Sequence, residues 1–418
     1  MKPFVILEHQ KLRAMEFPDA RHYRELHEYA LTEQGREVLT AGPDYVKAKS
    51  HVGVIQTRTG FILEILPKIH DEDSADGNTR GDFIRMLRTM QRLPQYKHID
   101  FANLKTENMP LFEIFISMFL AEVGEIVKKG MKSDYIHQEE NCAFIRGKLV
   151  VGEHLRRNSM HGERFYVRYD EYIQDIPRNR ILKSALRLCR AASLALANQQ
   201  KIGELLFVFD AVGESGDHER EYGRIVHDRT SDYYSNALAW AMLFLKGRSF
   251  TTYSGSTIAF ALLFRMETVF ECYVGHCLKR YTGLRDVRLQ SAKHYLAREN
   301  DSSQLFQLRP DITAHSADGR TRYIIDAKWK ILDEAQREIK YGVSQADMYQ
   351  LLAYAKIYSA MDQNEKPVKL FMVYPRTGAF SGDKVFLYND AEDTRLTLVP
   401  LDISATLKDD YRCLDVFN

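Results

Sequence analysis

The 418-residue chain lacks most of the short motifs by which enzymes bind nucleotides, hold zinc or present a catalytic serine. It has no GxxxxGK[ST] stretch, so we expect it to bind and hydrolyse no nucleotide itself. It contains neither HExxH nor GxSxG, and its Cys and His residues do not stand at zinc-binding spacing. These absences argue against P-loop, zinc-protease and α/β-hydrolase chemistry.

Paired cysteines and long apolar runs are missing as well. The five cysteines are odd in number and scattered, and none forms a CxxC pair, which favours reduced thiols over disulfides. No apolar run approaches the ~20 residues of a membrane span. The first ten residues, MKPFVILEHQ, lack the apolar core and cleavage site of a signal peptide. We therefore expect a cytoplasmic protein without a membrane partner.

A strong charge excess is also absent. The chain has 58 basic and 57 acidic residues, a net charge of +1, so composition alone does not indicate a nucleic-acid-binding protein. Basic residues do alternate with aromatic ones at 154–172 and recur at 178–190. Each stretch is either a phosphate-binding surface or an ordinary solvated face.

Hydrophobic patterning predicts an α+β multidomain fold with three consecutive domains. Residues 1–82 form a mostly β N-terminal domain, with a hairpin at 51–69 and a mobile polar loop at 70–82. Residues 83–250 form a mixed, mainly helical middle region, and residues 251–418 form a C-terminal α/β core. The predicted helices of the last two regions cover 109–130, 177–200, 231–247, 257–281 and 343–359.

The segment 308–330, LRPDITAHSADGRTRYIIDAKWK, is predicted to form a β-hairpin with an aspartate in each arm. Asp318-Gly319 is a strong turn signal between two strand-like runs. A two-residue turn there and a four-residue loop around it give the same register, which places Asp311 directly opposite Asp326. A three-residue loop would send Asp311 to the other face.

Two opposed carboxylates indicate a cation between them. Directly opposed residues have Cβ atoms roughly 4.5–5.5 Å apart, where like charges repel. Mg²⁺ takes oxygen ligands, often one or two carboxylates, and keeps several waters. Lys328 shares a strand face with Asp326, beside the metal. The set predicts metal-assisted phosphodiester hydrolysis; the alternative is strand-entry chemistry at Asp311 with a weak surface ion pair between Asp326 and Lys328.

Two neighbouring helices carry further candidates. Glu267 and Glu271 stand one helical turn apart before the hairpin, so either is a candidate metal or water ligand or an ordinary surface glutamate. Gln345 and Tyr349 share a face of the following helix and could hydrogen-bond a phosphate. For Tyr349, core packing is the competing interpretation.

These residues resemble known nuclease motifs. Pro310-Asp311 followed by Asp326-Ala327-Lys328 is similar to the signature of PD-(D/E)xK nucleases, and Gln345-Ala-Asp-Met-Tyr349 resembles the QxxxY element of RecB-like members. Nearly the whole chain resembles the McrC family, the nuclease subunits of McrBC-type modification-dependent restriction systems. The segments that carry this likeness, in order, are 53–69, 144–151, 169–186 and 266–274.

The resemblance implies a Mg²⁺-dependent DNA endonuclease with a PD-(D/E)xK core in residues 251–418. It implies that Asp311, Asp326 and Lys328 are catalytic, that Asp311, Asp326 and Glu271 are metal ligands, and that Gln345 and Tyr349 support the site. The implied partners are double-stranded DNA, probed for modified cytosine, and an McrB-like hexameric AAA+ motor that hydrolyses GTP. Residues 1–82 would dock on that hexamer and stimulate its GTPase, and two copies of the chain would pair for double-strand cleavage.

Two alternatives belong to other functional classes. One is a scaffold that activates the motor but has lost nuclease activity. The other is a stand-alone repair-type nuclease that needs no motor.

Overall fold

The computed structural model describes residues 3–69, 79–90, 109–225, 229–249, 258–300, 303–361, 367–389, 394–404 and 414–417. The strands are β1 (Phe4–Leu7), β2 (Lys11–Arg13), β3 (Leu39–Ala41), β4 (Tyr45–Ala48), β5 (His51–Thr57), β6 (Ile62–Leu66), β7 (Asp134–Cys142), β8 (Lys148–Leu149), β9 (Phe165–Ile173), β10 (Ile258–Arg265), β11 (Arg285–Leu289), β12 (Tyr295–Asn300), β13 (Ser303–Gln307), β14 (Ile312–His315), β15 (Arg322–Ala327), β16 (Val368–Pro375), β17 (Lys384–Leu387) and β18 (Arg395–Leu401). The helices are α1 (Ala20–Leu31), α2 (Glu33–Val38), α3 (Thr79–Leu87), α4 (Leu111–Lys129), α5 (Val151–Asn158), α6 (Pro177–Ala192), α7 (Leu196–Val208), α8 (His218–Gly223), α9 (Ser235–Ser249), α10 (Met266–Tyr281) and α11 (Gln345–Met361).

The chain folds into two compact units, which confirms a mixed α/β multidomain architecture. The first unit comprises Met1–Gln95, Leu104–Leu111 and Ser254–Asn418, and the second comprises Tyr96–Asn103 and Phe112–Tyr253. This grouping differs from the three consecutive domains predicted from the sequence. The physical reason is that β10, which belongs to the C-terminal region of the sequence, pairs with β5 and completes the N-terminal sheet.

The first sheet of unit 1 has the strand order β1-β6-β5-β10. Its centre is the predicted 51–69 hairpin, β5 and β6. The predicted single helix over 257–281 is wrong in its first half, since residues 258–265 form β10, antiparallel to β5, and α10 begins only at Met266. A Cβ on Gly53 would lie 2.1 Å from the Leu262 carbonyl oxygen, so this close approach of β5 and β10 requires glycine.

The second sheet of unit 1 has the order β11-β14-β15-β16-β18-β17. β15, β16 and β18 run parallel, whereas β14 pairs antiparallel with β15 as the two arms of the predicted hairpin. Helix α11, predicted at 343–359, packs on this sheet through a core that joins Leu351 and Tyr354 to Ile324 and Leu370. Both faces of β15 are therefore covered, and the charged face of the hairpin is not a solvated one.

Unit 2 is mainly helical, as predicted for the middle region. Its helices α4, α6 and α9 bury a large aromatic cluster that includes Phe115 and Trp240, and β7, β9 and β8 form a small antiparallel sheet. The predicted helix 177–200 is two helices, because the chain is extended at Ser193 and Ala195, between α6 and α7.

Two further sequence expectations concern the loop at 70–82 and membrane spans. Residues 70–78 lie outside the described residues, and residues 79–82 are not loop but the first turn of α3. Among the described helices, none is both long and apolar enough to cross a bilayer.

Candidate active site

The hairpin formed by β14 and β15 has the register that the sequence predicts. Ile312 pairs with Ile325, and the pairing continues without a slip to His315 and Arg322. The connection is the four-residue loop rather than the two-residue turn: the Ser316 N–H donates to the Thr321 carbonyl, and only Gly319 has a positive φ, +74°. Continued by one residue, this register sets Asp311 opposite Asp326.

Asp311 and Asp326 come together at the end of the hairpin away from the loop. Asp326 is the penultimate residue of β15 and is 2 % exposed. Asp311 stands just before β14, and its Oδ2 accepts a hydrogen bond from the Ala327 N–H at 3.0 Å. The Asp311 carboxylate is therefore directed at the segment that holds Asp326, as a shared cation site requires.

The electrostatics of the pair favour a bound cation. Burial, followed by the charges of Asp326 and Glu271, raises the pKa of Asp311 to about 8. An isolated aspartate titrates near 3.9, so the site strongly resists holding two negative charges in the absence of a positive partner. Asp326 Oδ2 is buried, and the Lys328 ammonium is its close charged neighbour. A buried carboxylate oxygen of this kind is a suitable metal ligand.

Lys328 lies beside the two aspartates. Its Nζ is 2.8 Å from Asp326 Oδ2 and 3.6 Å from Asp347 Oδ1. Burial lowers the pKa of Lys328, but attraction to Asp326, Asp347 and Asp311 outweighs this and the net pKa is raised. Lys328 is thus a cation held in place by carboxylates. Sequence reasoning missed Asp347, which lies inside the Gln345–Tyr349 motif in the first turn of α11.

Glu271 on α10 approaches the site without joining the pair directly. Its Oε1 accepts a hydrogen bond from Gln290 Nε2 at 2.8 Å, and burial together with the charge of Asp326 raises its pKa. Gln290, which sequence reasoning also missed, donates its backbone N–H to the Asp311 carbonyl at 2.8 Å. Gln290 thus bridges α10 and the hairpin formed by β14 and β15.

The three predicted metal ligands, Asp311, Asp326 and Glu271, do not form one compact cluster. Among the described residues, no three His, Cys, Asp or Glu side chains converge closely enough to hold one metal ion. Mg²⁺ commonly uses one or two protein carboxylates and completes its shell with water. The chemistry of Asp311 and Asp326 therefore suits Mg²⁺, and a role of Glu271 at the metal stays a prediction.

Gln345 and Tyr349 form their own exposed pair at the start of α11. Gln345 Nε2 donates to the Tyr349 hydroxyl, and Lys340 Nζ donates to Gln345 Oε1 at 3.0 Å. Tyr349 is 63 % exposed, which excludes core packing as its role. The pair contacts neither aspartate, so its place is at the rim of the site.

Glu8, which directly follows β1, holds the segment that continues from β15. Glu8 Oε1 accepts hydrogen bonds from Trp329 Nε1 at 2.7 Å and from the Lys68 N–H at 2.9 Å. The Trp329 ring also lies 5.3 Å from that of Phe270, the neighbour of Glu271. Trp329, which directly follows Lys328, is thereby fixed between β1 and α10.

Glu8→Ala is expected to destabilise unit 1 by about 1–3 kcal/mol, because the partly buried N–H donors of Trp329 and Lys68 lose their acceptor. Glu8→Gln keeps an oxygen acceptor and should lose clearly less. Urea unfolding, followed by fluorescence with Trp240 replaced by phenylalanine so that Trp329 is the reporter, measures both. Equal destabilisation by the two substitutions would contradict the hydrogen-bonding role.

Comparisons with known proteins show the family and the fold of the chain. The family model of the McrBC 5-methylcytosine restriction system component matches residues 46–375, most of the chain. Among solved structures, the fold is similar to that of a chain in the refined half-complex of a tetradecameric assembly of Thermococcus gammatolerans McrB AAA+ hexamers with bound McrC. That likeness has a TM-score of 0.75 at 19% identity over 100% of both chains.

A second similar structure is the Thermococcus gammatolerans McrBC complex, with a TM-score of 0.52 and 21% identity over 67% of this chain and 88% of the other. No curated protein sequence matches. At these identities the structural likeness shows the fold, and the family model carries the assignment. The chain therefore belongs to the family of McrBC 5-methylcytosine restriction system components, in agreement with the family that its motifs resemble.

Proposed function

We propose that the chain is the Mg²⁺-dependent DNA endonuclease component of an McrBC-like restriction system, with a PD-(D/E)xK active site. The observation that carries the proposal is the meeting of Asp311 and Asp326 across the hairpin with Lys328 2.8 Å from Asp326. Two carboxylates and a lysine are the minimal set for metal-assisted phosphodiester hydrolysis. The match to a restriction-system family supports DNA as the substrate.

In this mechanism Asp311 and Asp326 would hold Mg²⁺, which when bound would supply activation of a water and polarisation of the scissile phosphate. Lys328 has a raised pKa and is protonated at neutral pH, so it donates a hydrogen bond to the phosphate rather than accepting a proton. Glu271 orients a water molecule, and Gln290 holds the Glu271 carboxylate in place through a hydrogen bond. The exposed Gln345–Tyr349 pair contacts the substrate strand at the rim.

The proposal includes a motor partner. The structures to which this chain is similar contain McrB AAA+ hexamers with bound McrC, or the McrBC complex. This chain has no phosphate-binding loop of its own. We therefore assign GTP hydrolysis to a separate hexameric AAA+ partner, whose GTPase this chain stimulates, and recognition of modified cytosine to the assembled system. Double-strand cleavage then uses two copies of the chain.

Reconstitution tests this function. The purified chain, an McrB-like AAA+ partner, methylated plasmid DNA, GTP and Mg²⁺ should together give double-strand breaks. Omission of Mg²⁺, GTP or the partner should each abolish cutting. Robust cutting by the chain alone would favour the stand-alone nuclease, and GTPase stimulation without any cutting would favour the inactive scaffold.

Two regions are candidates for the docking surface on the motor. Residues 1–82 are the sequence-based candidate and expose Met15 and Leu31. Unit 2 exposes a larger set of apolar side chains, and such surfaces commonly mark protein interfaces. They are Phe144, Ile145, Leu149, Val151, Leu155 and Met160.

Two double variants are expected to show which region docks on the motor. They are Met15→Ser/Leu31→Ser and Phe144→Ser/Leu155→Ser. The pair on the docking surface should raise the concentration for half-maximal GTPase stimulation by about tenfold or more, because it removes buried apolar contact. The other pair serves as the control, since all four side chains are exposed in the free chain. Unchanged stimulation by both pairs would place the interface elsewhere.

Stabilisation by Mg²⁺ is expected to increase with pH. The pKa of Asp311 in the folded protein is raised to about 8. The protonated side chain therefore adds to the free energy of unfolding below the unfolded-state pKa, and this contribution is lost as pH rises through about 8. Bound Mg²⁺ replaces that proton, so the increase in Tm on adding Mg²⁺ should grow from about pH 6 to about pH 9. Asp311→Asn should abolish this growth. A Mg²⁺ effect equal at all pH values would contradict the assignment of Asp311 as a ligand.

A further inference from the structure

A two-stranded hairpin of unit 1 begins and ends at the candidate active site. Among the described strands, β12 and β13 pair with each other and with no other strand, so they form a sheet of their own. We call residues 291–310 the arm; residues 301 and 302 lie outside the described residues. One end of the arm follows Gln290, which bonds to Glu271 and to the Asp311 carbonyl, and the other end leads into Asp311 itself.

The base of the arm is firmly attached. The Leu308 N–H donates to the His294 carbonyl at 2.8 Å, which closes the base. The His294 ring lies 4.4 Å from that of Tyr358 on α11, edge to face, and the Tyr358 hydroxyl donates to the Ser291 carbonyl. The arm is thus joined to the helix that also carries Asp347.

The strands of the arm expose apolar side chains that the fold does not use. Phe306 is 70 % exposed, Leu296 48 % and Leu305 40 %. The flanking pairs of the ladder set Leu296 opposite Phe306. Phe306 also has a φ of +60°, a conformation that aromatic residues rarely adopt. An exposed aromatic residue in a strained backbone conformation is more typical of a contact surface than of a residue that stabilises the fold.

Cations accompany these apolar groups. Lys293, Arg298 and Arg309 are exposed on the arm. Within the described part of the chain, Lys293 and Arg298 form no ion pair, and the Arg309 guanidinium donates to Gln307 Oε1. Apolar wedges flanked by cations are the chemistry of proteins that enter the DNA minor groove.

We propose that the arm binds duplex DNA beside the scissile phosphate, with Phe306 in the minor groove and Lys293 and Arg298 on the flanking phosphates. The proposal rests on the nuclease function proposed above. A duplex delivered to Asp311 and Asp326 meets the arm, because both ends of the arm are at that pair.

The test uses the full chain with its AAA+ partner. Phe306→Ala is expected to weaken duplex affinity and raise KM for DNA by about tenfold, with kcat within about twofold of wild type. Lys293→Ala/Arg298→Ala should lower the slope of log affinity against log salt concentration by about 1.8. Leu387→Ala is the matched control, since Leu387 is also well exposed, at 58 %, on the edge strand β17.

Three outcomes are distinguishable. Wild-type affinity and salt slope in both arm variants would overturn the proposal. Loss of GTPase stimulation with unchanged DNA affinity would overturn it in favour of a protein-docking arm. If the wild-type chain binds duplex and the variants lose that affinity, but no Mg²⁺-dependent cutting occurs, the nuclease function fails while the arm's DNA contact stands.

Discussion

Asp326→Asn is expected to lower the rate of DNA cleavage by about 10³-fold or more, equivalent to about 4 kcal/mol of transition-state stabilisation. The substitution removes the charge of a carboxylate that is almost fully buried and is a proposed Mg²⁺ ligand. It also removes the anion that holds Lys328 in place. Single-turnover cleavage of methylated plasmid by the reconstituted system measures the loss.

The same variant separates a catalytic role from a structural one. Asparagine has nearly the same shape, and removal of one of two repelling carboxylates should leave the metal-free fold as stable as wild type or more so. Stimulation of the partner's GTPase should therefore survive. Asp318→Asn, in the exposed loop at the far end of the same hairpin, is the matched control. Wild-type cutting by Asp326→Asn would mean that the chain is a scaffold with a vestigial site.

The hairpin of β14 and β15 could be predicted from sequence because its determinants are local. The Asp318-Gly319 signal fixed the loop region, and strand alternation fixed the faces, so the register followed even though the loop type was open. Charge repulsion between two opposed aspartates then indicated a cation. Each step used residues within one short segment, where sequence separation and spatial distance are nearly the same.

Features that depend on distant pairing could not be predicted in this way. Residues 258–265 are a short apolar run that suits a helix or a buried strand equally, and only their pairing with β5 decides it. The contact between Glu8 and Trp329 joins positions more than three hundred residues apart. Gln290 carries no motif at all, although it bonds to both Glu271 and Asp311.

Asp347 is a local residue that the sequence did not identify. It lies within the Gln345–Tyr349 motif, but the helical spacing of that motif singled out only its two end residues. The structure places Asp347 Oδ1 3.6 Å from Lys328 Nζ, so the helix contributes to the site through a residue that the motif does not specify. An acidic residue in the first turn of a helix that follows an Asp-x-Lys strand was the available signal.

Lys328→Gln is expected to slow cleavage by about 10²- to 10³-fold, because it removes a cation aimed at the developing charge of the scissile phosphate. The pKa of Lys328 is raised by its carboxylate neighbours, so the wild-type rate should show no loss from lysine ionisation up to about pH 9. Lys328→Arg keeps the charge on a wider, planar group and should recover only part of the rate. Single-turnover rates between about pH 6 and about pH 9 measure all three forms.

Lys330 provides the matched control for this prediction. It follows Lys328 by two residues in the sequence, but its Nζ donates to the Gly342 carbonyl and it is exposed. Lys330→Gln should therefore cut DNA within about twofold of the wild-type rate, with the usual small effect of a surface substitution. Equal losses in Lys328→Gln and Lys330→Gln would mean that general positive charge holds the DNA. A loss confined to Lys328 ties catalysis to the one lysine that the two aspartates and Asp347 surround.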